Sequence, residues 1–191
     1  MNLAHLSDQE IKETLVLKER LQLLEIQKDC QDSFLKYVEY MWPEFICGRH
    51  HKIFAQKLED VANGKITRLI VNMPPRHTKS EFCSTYFPAW IMGKQPNRKI
   101  MQTTHTGELA VRFGRKVRNM MDTDEYKRIF TKVELQADSK SAGRWETNKG
   151  GEYFAAGVGG AITGRGADLL IIDDPHSEQD ALSPSALESC W

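Results

Sequence analysis

The sequence predicts an α/β fold in which a parallel sheet is flanked by helices. Three observations carry that expectation. Residues 68–80 read RLIVNMPPRHTKS, an apolar strand-like run that enters a loop and ends in Lys79-Ser80. Residues 168–174 read DLLIIDD, a second apolar run that ends in two carboxylates. Around them strand-like and helix-like segments alternate, the pattern of strands joined by crossover helices.

The elements follow in order. Residues 8–31 carry Ile11, Leu15, Leu21 and Leu24 at helical spacings with charges between them. Ser7, with Glu10 three residues on, starts that helix as a capping box. A second helix is expected over 32–40, ending before Trp42-Pro43, and a third over 51–62, stopping at Asn63-Gly64. Residues 68–71 are predicted as the first core strand. A helix starts at Lys79 and runs toward Trp90, with an interruption near Pro88. Residues 99–103, KIMQT, read as a strand, and 108–121 as a helix bearing Arg112, Arg115, Lys116 and Arg118. Short strands are expected over 133–135 and 151–156, and a last one over 169–173. Residues 1–50 thus form an N-terminal helical appendage, and 51–191 the main domain.

Composition narrows the function classes. The 191 residues hold 26 basic and 26 acidic side chains, so the formal net charge is zero. Any nucleic-acid contact must therefore come from a local patch, for which the basic helix 108–121 is a candidate beside the plainer reading of a solvated face. No run is apolar enough to span a membrane, and no signal-peptide pattern is present. Cys30, Cys47, Cys83 and Cys190 are scattered, and the His50-His51 pair has no cysteine or carboxylate at zinc-ligand spacing.

The two motifs together carry the chemistry of a nucleoside triphosphatase. A strand-to-helix loop can cradle phosphates on backbone N–H groups while its lysine reaches the outer phosphates. Lys79 is that lysine, and Ser80 supplies a hydroxyl to Mg²⁺. Asp173, at the end of the second run, is the expected partner for the same ion. Aligned on Lys79, the two positions that hold glycine in G-x-x-x-x-G-K-[ST] are Met73 and Thr78. Pro74 and Pro75 have no N–H to donate, so the donors must come from Arg76, His77, Thr78, Lys79 and Ser80. The residue after Asp173 should orient the attacking water. Asp174 stands there, with Glu178 as the alternative. Arg76, inside the loop, could stabilise transition-state charge.

VNMPPRHTKSE (71–81), AAGVGGAITGRGADLLIIDDPHSEQDA (155–181) and the upstream HHKIFAQKLEDVANGKITRLI resemble the large terminase subunit of tailed bacteriophages. The resemblance runs from about residue 40 to 181. It implies an ASCE-type P-loop NTPase that uses ATP and Mg²⁺ to drive double-stranded DNA into the procapsid. It also implies a homo-oligomeric ring in the host cytoplasm, partnered by the small terminase subunit and the portal protein, with no membrane. Arg165, in TGRG, would then act across the ring on a neighbour's nucleotide, or be an ordinary turn arginine. The adenine site would lie upstream of the loop, with His51 and Gln56 as candidates. The usual family form has glycine where this chain has Thr78. In that family further strands and an RNase H-type nuclease domain follow, so this sequence is expected to be a truncated ATPase portion without the nuclease. Another P-loop DNA-dependent ATPase such as a helicase, or an inactive nucleotide-binding remnant, are the alternatives.

Overall fold

The computed structural model describes residues 7–160, 162, 164–177 and 179–189. Three helices open the chain: α1 (Asp8–Asp32), α2 (Phe34–Met41) and α3 (Arg49–Ala62). The capping box at Ser7 and Glu10 is formed, and Ser33 both ends α1 and caps α2. After the proline-rich loop, a helix begins at Lys79, passes through a π-helical stretch (Glu81–Tyr86) and continues as α4 (Phe87–Lys94). β1 (Lys99–Thr104), α5 (Gly107–Met121), α6 (Asp124–Ile129), β2 (Leu135–Lys140), β3 (Arg144–Thr147), β4 (Glu152–Gly157) and β5 (Leu169–Ile172) follow. A short 3₁₀ turn (Asp180–Leu182) and α7 (Pro184–Ser189) come last.

The fold is α/β, but its five-stranded sheet is mixed rather than wholly parallel. Its order is β2-β3-β4-β1-β5. β1 runs parallel to β4 and to β5, while β3 is antiparallel to both its neighbours. The physical reason is the connections. Only 141–143 and 148–151 separate β2, β3 and β4, too few residues for a crossover, and short turns force antiparallel pairing.

Residues 68–71 form no strand, contrary to expectation. Leu69, Val71 and Met73 are half-buried against the core, whereas Arg68 and Ile70 point outward, Ile70 being 87% exposed. The in-and-out alternation of a strand is there without a hydrogen-bonded partner strand among the described residues.

Pro88 does not interrupt its helix. In the π-helical stretch the Phe87 N–H reaches back five residues to the Phe82 carbonyl. That wider turn lies just ahead of a residue with no N–H and a ring that would crowd a normal α-turn.

The core is aromatic and continuous. Phe34 of α2 meets Phe82, Phe87 and Trp90 at ring separations of 5.5, 5.7 and 5.4 Å. The Trp90 indole N–H donates to the Cys30 carbonyl at 2.8 Å. Among the described residues, the helices before and after the loop therefore share one core. The outer part of α1 stands apart, with Leu15, Val16, Leu17 and Leu21 each more than half exposed.

α5 covers one face of the sheet with Ala110, Phe113, Gly114, Val117 and Met121, spaced by three or four residues. Trp145 lies flat against Tyr153 at 4.9 Å, and its indole N–H donates to the Gly114 carbonyl. A Cβ on Gly114 would sit 2.6 Å from the Ala142 carbonyl oxygen and 3.0 Å from the Tyr153 ring. Gly114→Ala is therefore expected to overpack this layer and cost about 1–3 kcal/mol, read as a lower denaturation midpoint with an unchanged slope.

Candidate functional site

The candidate site lies where the parallel strands end. β5 closes at Ile172, and the Asp173 N–H donates to the Thr103 carbonyl of β1. This places the Asp173 carboxylate at the C-terminal edge of the sheet, 3% exposed. A carboxylate so buried needs donors, and two are present. The Ser84 hydroxyl donates to Asp173 Oδ2 at 2.8 Å, and Lys79 Nζ lies 3.7 Å from Oδ1. Gln102 of β1 in turn donates from Nε2 to Ser84 Oγ at 3.1 Å, while its own Oε1 is buried with no partner among the described residues. The π-helical stretch that accommodates Pro88 is also the one that carries Ser84.

Asp174 adopts a left-handed backbone, φ 46°, and its carbonyl accepts from the His105 N–H. Its exposed side chain takes the Lys79 ammonium at 2.6 Å. Burial alone would lower the pKa of Lys79. The hydrogen bond and charge of Asp174, then the charge of Asp173, outweigh it and raise that pKa above the ordinary lysine value. Lys79 therefore stays protonated. The neighbouring Cys83 thiol is pushed to about 12, first by burial and then by the charge of Asp173, so it remains neutral and is no nucleophile at neutral pH.

The loop before Lys79 is sharply curled. Arg76 and Thr78 both sit at φ 63°. For a non-glycine residue that conformation costs about 1–2 kcal/mol, and β-branching makes Thr78 the harder case. A chain of hydrogen bonds holds it. The Gly48 N–H donates to His51 Nδ1 at 2.9 Å, which places the imidazole proton on Nε2. His51 Nε2 then donates to Thr78 Oγ1 at 2.7 Å, and the Thr78 hydroxyl donates to the His77 carbonyl at 2.6 Å. At about 0.5–1.5 kcal/mol net for each bond, the set is of the size needed to offset the strain. His51 itself is buried, edge-on to Phe45 at 4.7 Å and stacked on Phe82 at 5.2 Å.

Of the residues singled out in the sequence, Lys79, Asp173 and Asp174 meet directly, although 95 positions separate Lys79 from Asp174. Arg76, His77 and Thr78 form the curled loop that leads into Lys79 and Ser80. The hydroxyl on Asp173 belongs to Ser84, not to Ser80 four residues earlier. His51 lies beneath the loop with both ring nitrogens engaged, so it presents no free face to a base; Gln56 is exposed on α3. Arg165 is elsewhere. It lies 4.0 Å over the Phe154 ring and donates to Glu152 at 3.3 Å. Glu152 pairs with Lys99, four residues before Thr103, which puts Arg165 roughly 13 Å along the strands from the carboxylates. Glu178 lies outside the described residues. On α5, Arg112 and Arg115 are exposed, and Lys116 pairs with Glu81 at 2.5 Å.

Comparison with known families, curated proteins and solved structures finds no match.

Ser84 and Gln102 are the residues that sequence reasoning missed. The available signal was faint: a serine four residues after Ser80 on one helix, and a glutamine in the middle of the KIMQT strand. As to a cation, no group of three or more His, Cys, Asp and Glu side chains is gathered among the described residues. Mg²⁺ needs only one or two protein oxygens when substrate phosphates complete its shell. Asp173, with Oδ2 held by Ser84 and Oδ1 turned to Lys79, suits that role.

His51 gives the site a pH dependence. Burial, followed by the charges of His50 and His77, lowers its pKa below the ordinary histidine value. A depressed histidine contributes stability above its unfolded pKa, near 6.5, and loses it as pH falls through the folded value. Denaturant titrations from neutral pH downward should show stability falling below about pH 6.5, and the fall should shrink in His51→Phe. An identical pH profile in the variant would remove His51 as its source.

Proposed function

We propose that the chain is the ATPase portion of a DNA-packaging motor, a large terminase subunit that hydrolyses ATP with Mg²⁺ to move double-stranded DNA. The observation that carries the ATPase part is the meeting of Lys79 with Asp173 and Asp174 at the C-terminal edge of the parallel strands, beside a curled loop that leads into a helix. Ligands of open α/β sheets bind at that edge. The DNA-packaging part rests on the sequence resemblance.

In this reading the backbone N–H groups of residues 76–80 cradle the phosphates, and the helix they begin points its positive end at them. The Lys79 ammonium, now neutralised by Asp173 and Asp174, turns to the outer phosphates. Ser80 and Asp173 would hold Mg²⁺, which when bound would supply charge neutralisation to the phosphates. Ser84 and Gln102 fix the rotamer of Asp173, leaving Oδ1 for the cation. Asp174, exposed and held at the rim by its left-handed backbone, orients and deprotonates the attacking water. Arg76 stabilises the transition state in cis. Arg165, remote from the site of its own chain, acts on a neighbour's nucleotide in a homo-oligomeric ring. Portal protein and small terminase subunit are the partners, in the host cytoplasm.

A second reading has its own observation. Thr78 is left-handed where the motif needs glycine, and Asp174 is one methylene shorter than the glutamate common in such ATPases. These favour an inactive nucleotide-binding remnant. DNA-stimulated ATPase assays on this chain separate the two, since the remnant binds Mg-ATP without turnover.

Two variants test the roles. Lys79→Ala should lower Mg-ATP affinity by about tenfold to a hundredfold, the effect of losing a charged hydrogen-bond donor, in a chain that still folds but at a lower denaturation midpoint, because buried Asp173 loses its cation. Parent-like binding would refute the phosphate role of the loop. Asp174→Asn should keep Mg-ATP binding and lose about 10²–10⁴ in turnover. Undiminished hydrolysis would move the base elsewhere.

A further inference from the structure

We infer that His51 is a positioning residue of the phosphate-binding loop. By donating to the Thr78 hydroxyl it keeps a β-branched residue left-handed where a glycine would otherwise be required. The functional half of this inference rests on the nucleotide reading above; the structural half does not.

The role of every atom in the connection is fixed by its neighbour. The Gly48 N–H can only donate, so His51 Nδ1 accepts and the ring proton sits on Nε2. Nε2 is therefore a donor toward Thr78 Oγ1. The hydroxyl, having accepted, spends its own hydrogen on the His77 carbonyl, a group that can only accept. The hydrogen bonds thus run in one direction from the start of α3 into the loop, with no alternative arrangement for a neutral ring.

The ring is also immobilised. Phe45 holds one edge, and Phe82, which belongs to the helix the loop feeds, is stacked against its face. The Phe82 N–H donates to the Thr78 carbonyl at 2.9 Å. His51 consequently touches both sides of the junction, the left-handed residue and the helix that starts from it. Arg76, left-handed two residues earlier, completes a curl whose next side chain is Lys79. A threonine free to relax to negative φ would unwind that curl and carry the Lys79 backbone away from the strand ends. An aromatic replacement for His51 would preserve the packing on Phe45 and Phe82 and remove only the hydrogen bonds.

Two measurements test the inference. The first needs no ligand: imidazole nitrogen shifts by NMR should report His51 as the Nε2–H tautomer, and Thr78→Val, which keeps the branched shape and removes the hydroxyl, should displace the His51 Nε2 resonance. An Nδ1–H tautomer, or a resonance unmoved by Thr78→Val, would overturn it. The second is a double-mutant cycle read by Mg-ADP affinity. His51→Phe should weaken binding about tenfold beside Thr78, and less than about twofold in a Thr78→Gly background, where the left-handed residue needs no support. Equal losses in both backgrounds would show that His51 acts by some route other than Thr78. If the parent chain bound no Mg-ADP, the nucleotide reading would fall and the imidazole shifts would still decide the role of His51.

Discussion

A carboxylate buried at the end of β5 sets the terms for the structure around it. Asp173 is 3% exposed. An ionised group in that position is tolerated only with charge and hydrogen bonds close by. Lys79 supplies the charge and Ser84 the hydrogen bond, and both come from a single helix that must begin beside the strand ends to reach them. Gln102 inside β1 supports the same contact at one remove, by donating to the Ser84 hydroxyl.

The helix reaches Asp173 through a departure from regular geometry. Its second turn is π-helical, which accommodates Pro88 downstream and carries Ser84 onto the carboxylate. Stretches of this kind occur in α-helices often at functional sites. Here the physical cause is visible: a proline that cannot serve an α-turn and a buried acceptor that needs a donor. The aromatic cluster of Phe34, Phe82, Phe87 and Trp90 packs around the same stretch and ties it to α2.

The loop repeats the theme of strain met by hydrogen bonds. Left-handed Arg76 and Thr78 carry the chain from the proline pair into the helix within a few residues. The conformation persists because its surroundings over-determine it: Gly48 fixes His51, and His51 fixes Thr78. Asp174, left-handed on the opposite side of the site, is held by Lys79 through its side chain and by His105 through its carbonyl.

Much was legible in the sequence because the cause was local. The capping box at Ser7, the stop at Asn63-Gly64, the strands at KIMQT and LLII and the amphipathic α5 follow from neighbours within a turn or two. The spacing of Lys79 from its loop and of Asp173 from Asp174 likewise marked them as candidates, and the fold brings the three side chains together. Other features depended on partners far along the chain. Residues 68–71 have the composition of a strand, yet a strand needs a hydrogen-bonded neighbour, and composition cannot supply one. The direction of β2 and β3 was set by the shortness of their turns, and the short runs around Trp145 hid β3 altogether. Ser84 and Gln102 became site residues only when β1, β5 and the loop's helix converged on Asp173. His51 became a support for Thr78 only when α3 packed beneath the loop. What the sequence determined alone was which residues could do chemistry. What the tertiary structure decided was which of them are neighbours, because burial and long-range hydrogen bonding are properties of the packed chain and not of any segment within it.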